Sequence, residues 1–293
     1  MSGAPVGAPG GAMSGAPGRM TAPGLLEVRG ASRAFGGRAV LDRVSFEVAA
    51  GEIVALIGPS GSGKSTLLSI LTGALEADAG EIRYDGAPIS GRRPFACMPQ
   101  RDALLPWRRI IDNAGLGLEV AGLSRREARR RVAGLLDQFG LAGAEWLYPR
   151  QLSGGMRQRA SFLRTVVQDR PVLLLDEPFG ALDAITREEL QRWLLGIWRE
   201  NGWSILLITH DIREAMRLAD RVLVLPSAPG PIVGEVRVSR GIPRGDGFVT
   251  DPRVPGLEAE LQALLREAAL GRDPAPGSRS GMVPTPRPPA SRS

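Results

Sequence analysis

Four separated stretches of this 293-residue sequence carry groups suited to phosphate chemistry. The densest is Gly58-Pro59-Ser60-Gly61-Ser62-Gly63-Lys64-Ser65-Thr66, which fits G-x-x-x-x-G-K-[ST]. Its glycines let backbone N–H groups converge on phosphate oxygens, and a helix N-terminus behind them adds partial positive charge. In such a loop Lys64 reaches the β- and γ-phosphates and the Ser65 hydroxyl ligates Mg²⁺. Asp176-Glu177 puts two carboxylates at the end of an apolar run. One suits a metal ion, and the other can polarise an attacking water. Ser153-Gly154-Gly155 opens a second segment whose amides can bind an anion. His210 closes another apolar run, between Thr209 and Asp211.

Composition singles out two of these residues. Lys64 is the only lysine in the chain, against an otherwise all-arginine set of strong bases, and His210 is the only histidine. A flexible point charge suits a phosphate loop better than a planar guanidinium does.

Elements of regular structure must position these groups. Ile53–Ile57 reads as a buried strand entering the glycine loop, and Leu67, Ile70 and Leu71 recur at helical spacing after it. Val172–Leu175 is a buried strand ending in Asp176-Glu177, expected to lie beside the phosphate-loop strand. Ser204–Ile208 ends at Thr209-His210-Asp211, and residues 222–225 form a further strand. A helix carrying Leu190, Trp193, Leu194 and Ile197 lies between. Strands alternating with helices predict a parallel α/β core. Ahead of it, Leu26–Arg29, Val44–Val48 and Glu81–Tyr84, the last with an Asp85-Gly86 turn, alternate as half-buried strands do. Residues from about 104 to 167 turn helical and read as an insertion. Ser124 to Glu127 is a capping box, and its helix is expected to run through Val132, Leu135, Leu136 and Phe139 to Gly140. Residues 256–270 read as a last helix. Residues 1–23, with Ser-Gly-Ala-Pro at 2–5 and 14–17, and residues 271–293 read as disordered tails. Met13 and Met20 are alternative starts.

Leu152-Ser-Gly-Gly-Met-Arg-Gln-Arg159 gives the second anion site a reason. With it, residues 25–270 resemble the ATP-binding subunit of an ABC transporter, whose signature is LSGG. The resemblance implies a phosphate-loop ABC ATPase core with an antiparallel N-terminal β-subdomain and an inserted helical subdomain, in a domain spanning 24–270. It implies ATP and Mg²⁺, with Asp176, Ser65 and Gln100 at the metal. It implies hydrolysis by Glu177 with His210, Lys64 and Gln100. Phe35 matches the ring that stacks on adenine, and Ala181–Asp183 matches the D-loop. In the family, Ser153, Gly154 and Gly155 of one subunit cover the γ-phosphate held by the other, so a head-to-tail homodimer is implied. Gly180 departs from a frequent serine, with no consequence expected for hydrolysis.

The same resemblance implies a separate membrane permease, since no apolar run here is long enough to span a bilayer. The chain is then peripheral, on the cytoplasmic face of the inner membrane. Residues 104–113 belong to the surface where the family docks its permease; Trp107 is either a docking residue or a packing residue there. Met98-Pro-Gln100-Arg-Asp102, Leu104-Leu-Pro-Trp107 and Phe179–Asp183 are similar to the importer branch for nitrate, sulfonate or taurine and related thiamine-precursor pyrimidines. That branch works with an extracytoplasmic solute-binding protein, and an exporter is the nearest competitor.

Net charge is +6. The arginines are spread along the chain and aromatics are sparse, so a solvated surface is favoured and no nucleic-acid partner is expected. Cys97 is the one cysteine, so no internal disulfide forms, and it reads as a strand residue. Long coiled coils of repair ATPases and the paired cassettes of ribosomal ones are missing from the sequence. A small-molecule kinase would need neither Ser153–Gly155 nor His210. Replacing Lys64 with Ala should remove most nucleotide affinity; an unchanged ATP titration would contradict the phosphate-loop reading.

Overall fold

The computed structural model describes residues 25–89, 94–245 and 247–270. The expected tails and the alternative starts Met13 and Met20 lie outside them. In chain order the strands are β1 (Leu26–Phe35), β2 (Arg38–Val48), β3 (Ile53–Ile57), β4 (Ala79–Tyr84), β5 (Ala87–Pro88), β6 (Phe95–Met98), β7 (Val172–Asp176), β8 (Ser204–Ile208), β9 (Arg221–Val224) and β10 (Gly234–Arg237). The helices are α1 (Lys64–Thr72), α2 (Ile110–Ala114), α3 (Leu116–Val120), α4 (Arg125–Ala133), α5 (Gly154–Val166), α6 (Ala184–Asn201), α7 (Ile212–Leu218) and α8 (Val254–Leu270).

Two sheets form. The smaller is antiparallel, in the order β2-β1-β4-β5. The larger runs β10-β9-β3-β8-β7-β6, parallel except for β10 at its edge. Two expectations need correction. β7 does not lie beside the phosphate-loop strand: β8 is inserted and pairs with both. The apolar run of β8 satisfies sheet burial on both faces, so nothing in either strand alone distinguishes the two orders. The helix from Ser124 stops at Ala133, and residues 134–140 continue as turns past Gly134. Val132, Leu136 and Phe139 stay buried, because i−3 and i−4 backbone bonds such as Leu135 to Val132 and Phe139 to Leu135 preserve roughly helical spacing. The capping box at Ser124 and Glu127 forms as read.

The large sheet divides the core by side-chain parity, as a pleat requires. Ile53, Ala55 and Ile57 of β3 join Leu173, Leu175, Ile205 and Leu207 against the helices. Val54 and Leu56 join Val172, Leu174, Leu206 and Ile208, facing α1 and the small sheet. Each fully buried aliphatic side chain contributes about 1.5–3 kcal/mol of transfer free energy. Cys97 lies half-buried in β6, where burial pushes its thiol up to about 11, which keeps it protonated and unreactive.

Helices α2 and α4 are joined by charge. Asp112 is 1% exposed and accepts from Nε and Nη2 of both Arg125 and Arg129, at 2.6–3.0 Å. Burial pushes its carboxyl up, but the two guanidiniums outweigh burial and hold it well below the usual carboxylate range. A depressed native pKa contributes stability that is present above the unfolded value and lost as pH falls toward the folded one. Asp112→Asn should cost about 1–3 kcal/mol in urea unfolding at pH 7, discounted because both arginines reach solvent. The gap to wild type should shrink as pH falls below about 3.9. A gap that is zero at pH 7 would contradict the assignment.

Candidate active site

Strand register builds the site. Leu56 of β3, Ile208 of β8 and Asp176 of β7 stand level across the sheet, and Met98 of β6 stands level with Leu175. All four strands run the same way, so their C-terminal ends deliver Gly58, Thr209-His210, Glu177 and Gln100 to one edge. That edge is where open α/β sheets bind ligands. A cleft of about 610 Å³ opens there, lined by Val40, Gly58, Ser60–Thr66, Glu177 and His210.

The loop wraps the N-terminus of α1. Gly63 sits at φ 88° before Lys64, and no side chain caps the helix. A methyl group on Gly63 would meet Leu41 Cδ2 at 2.6 Å, and one on Gly58 would meet Leu225 O at 2.8 Å. Lys64 Nζ donates to Gly58 O (2.7 Å), Pro59 O (3.0 Å) and Ser62 Oγ (3.1 Å). Burial pulls its ammonium down, while the Glu177 and Asp176 carboxylates oppose the shift. Ser65 is exposed at the loop's edge, and Thr66 is half-buried.

Glu177 is the meeting point. Gln100 Nε2 donates to its Oε2 at 2.6 Å, and His210 Nδ1 lies 3.2 Å from its Oε1. Its backbone is left-handed at φ 43°, with its N–H on Ile208 O at 2.8 Å. A non-glycine residue held there costs on the order of 1–3 kcal/mol, strain of the kind that collects at functional sites. Asp176 is half-buried; burial and Glu177 push its carboxyl up, and Lys64 opposes them. Gly180 has ordinary contact distances to Glu177, 3.5 Å at the nearest, so the absent serine side chain is not excluded by space.

Ser153, Gly154 and Gly155 do not join this cleft. They line a second one of about 450 Å³ with Met156, Arg159, Asp183, Thr186, Glu189 and Leu190. Ser153 Oγ caps α5 by accepting from Met156 N–H at 3.2 Å. Asp183 of the Ala181–Asp183 turn caps α6 through Thr186 N–H. Phe35, 47% exposed, stands at the end of β1 outside the first cleft, with the Arg33 guanidinium 5.0 Å from its ring centre. Trp107 is 72% exposed, which argues against the packing alternative.

Several supporting residues carry no local signature. Val40 lines the first cleft. Gln158 Nε2 donates to Pro178 O, just past Glu177. Arg164 donates to Asp102 O and Ala103 O, and Arg157 pairs with Asp102 at 3.3 Å, so α5 grips the turn after Gln100. For Arg157, Gln158 and Arg164 the only available signal was a polar residue on helix α5, and Val40 in β2 offered none.

Gly63→Ala should lower the melting midpoint and abolish nucleotide binding, because the clash with Leu41 adds to a left-handed backbone cost of about 1–2 kcal/mol. Gly61→Ala, also at positive φ but with open space, should pay only the backbone cost. Equal effects of the two in thermal melts would contradict the packing argument.

The ABC transporter family model matches residues 41–180. A taurine import ATP-binding protein, TauB, of Yersinia pestis bv. Antiqua (strain Antiqua) is 45% identical over 220 residues, 74% of this chain and 86% of that protein. An aliphatic sulfonates import ATP-binding protein, SsuB 2, of Pseudomonas aeruginosa (strain UCBPP-PA14) is 40% identical over 269 residues, 91% of this chain and 94% of that protein. The dimeric structure of MJ0796, a bacterial ABC transporter cassette, aligns with TM-score 0.63 at 28% identity, covering 73% of this chain and 99% of that one. With the glycine loop, the acidic strand end and the LSGG helix in one fold, this chain belongs to the ABC transporter family as an ATP-binding, ATP-hydrolysing subunit.

Proposed function

We propose that this chain hydrolyses Mg–ATP between two copies of itself to drive import of a sulfonate such as taurine. The observation that carries the chemistry is Glu177, held between Gln100 and His210 at the mouth of the glycine loop. The solute class rests on the taurine and aliphatic-sulfonate importers that the chain resembles.

The amides at the start of α1 receive the phosphates, and Lys64 leaves the loop oxygens for the β- and γ-phosphates. Phe35 offers its exposed ring to adenine. Glu177 accepts a proton from, or orients, the attacking water, and His210 holds Glu177 and reaches the γ-phosphate. No group of three or more His, Cys, Asp or Glu able to hold a metal occurs among the described residues. That fits Mg²⁺, which binds through one or two protein oxygens and the substrate's phosphates. Ser65, Asp176 and the carbonyl end of the Gln100 amide are the groups to hold it; when bound it neutralises phosphate charge.

One chain has its phosphate loop and its Ser153–Gly155 helix start in separate clefts. A second copy, head to tail, supplies the missing amides to each loop. Among the described residues no helix is long and apolar enough to cross a membrane, so translocation falls to integral permease subunits, fed by an extracytoplasmic solute-binding protein. The exposed Trp107 beside the Gln100 turn suits permease docking on the cytoplasmic face of the membrane.

Glu177→Gln should bind ATP as wild type does and lose turnover by about 10²–10⁴-fold, the size of a lost general base. Phosphate release near the wild-type rate would overturn the role given to Glu177.

A further inference from the structure

Phe35 ends β1 beside the tight turn through Gly36 and Gly37, both at positive φ. Its ring is half-exposed and joins neither buried core. What holds it is Arg33, two residues back on the same strand, whose guanidinium carbon lies 5.0 Å from the ring centre.

The guanidinium is itself mounted. Arg33 Nη1 donates to Asp78 Oδ1 at 2.5 Å and to Glu76 O at 3.1 Å. Asp78 Oδ2 accepts the Ala34 N–H at 2.7 Å, and the Asp78 N–H donates to Ser32 O at 2.9 Å. Asp78 so holds Ser32, Arg33 and Ala34, the three residues just before the ring. Glu76 and Asp78 lie in the segment that leaves α1, the helix behind the glycine loop. The ring is thereby tied to the element that receives the phosphates.

Hydrogen bonding does not account for the whole group. Arg33 Nε is buried without a hydrogen-bond partner. A guanidinium placed only to pair with Asp78 would keep Nε in water or on an acceptor. Here the cation lies over the phenyl ring instead. Aromatic faces are negative, so two rings brought face to face repel through their quadrupoles. A cation over one face draws π density toward itself and leaves the opposite face less negative. That face then stacks better on an electron-rich ring such as a purine base. The same contact fixes the ring in advance, so less side-chain freedom is lost when a base arrives.

We propose that Arg33 is a positioning residue for the nucleotide base: anchored by Asp78 and the Glu76 carbonyl, it backs Phe35 on one side and leaves the other side for adenine. The inference rests on the reading of Phe35 as the adenine platform given above. A purely structural Arg33–Asp78 pair would behave differently: removing it would loosen the end of β1 and weaken every ligand of the cleft.

The test uses full chains with ADP and pyrophosphate, which share the glycine loop and differ by the nucleoside. ADP Kd is measured by titration calorimetry, and pyrophosphate by competition against ADP. The chains are wild type, Arg33→Ala, Phe35→Ala and the double substitution. Arg33→Ala should raise ADP Kd about 3- to 10-fold and leave pyrophosphate affinity within about twofold. In the Phe35→Ala background Arg33→Ala should add nothing, because the ring it acts through is gone. The proposal is overturned by wild-type ADP affinity in Arg33→Ala, by a parallel loss of pyrophosphate affinity there, or by effects that multiply in the double substitution. Should Arg33→Ala not fold, Arg33→Met, which keeps the stem over the ring and removes the charge, decides by the same comparison. Failure of the adenine reading looks different: Phe35→Ala itself would then bind ADP as wild type does, and the proposal would fall with it.

Discussion

The parallel hydrogen bonding of β3, β8, β7 and β6 is what the rest of the molecule depends on. A phosphate loop by itself binds an anion and does nothing further. The hydrolysis proposed above draws on a carboxylate, a histidine and an amide near that loop, and the structure brings the side chains at positions 177, 210 and 100 together there. Parallel strands in register bring all of them to one level, each a residue or two past the end of its strand. The buried aliphatic side chains on both faces of the sheet fix that register, because a one-residue slip would turn every core side chain to the wrong face.

Within this frame the polar groups satisfy one another. Lys64 rests on three oxygens of its own loop, and Glu177 holds Gln100 and His210. These contacts prevent a lysine and a glutamate from standing unpaired in a cleft. In the proposed mechanism they are the contacts that phosphate, metal and water would replace.

How far the sequence could be read follows from where each signal sits. The glycine loop, the LSGG helix start and the acidic strand end are contiguous, and each needs particular residue types, so they were legible. The antiparallel N-terminal sheet was legible from alternation. Strand order was not: β8 and β7 are both uniformly apolar, and only the folded sheet shows β8 inserted next to β3. β10 was missed because an edge strand of four residues with only Val236 buried leaves almost no pattern. The contacts of Gln158 with Pro178, Arg164 with Asp102 and Arg187 with Asp211 span 20, 62 and 24 positions, so nothing local marks them. At α4 the apolar spacing continued through Phe139 while the regular helix ended before Gly134, since packing preserves spacing after the backbone leaves the ideal ladder.

The central claim is that the two clefts of one chain are halves of different sites, completed by a second copy. Analytical ultracentrifugation of the Glu177→Gln chain, with and without Mg–ATP, tests it most directly. The account predicts one 31.1 kDa chain without nucleotide and a stable pair with it. A chain that binds ATP and still sediments as a single copy at every concentration would contradict it.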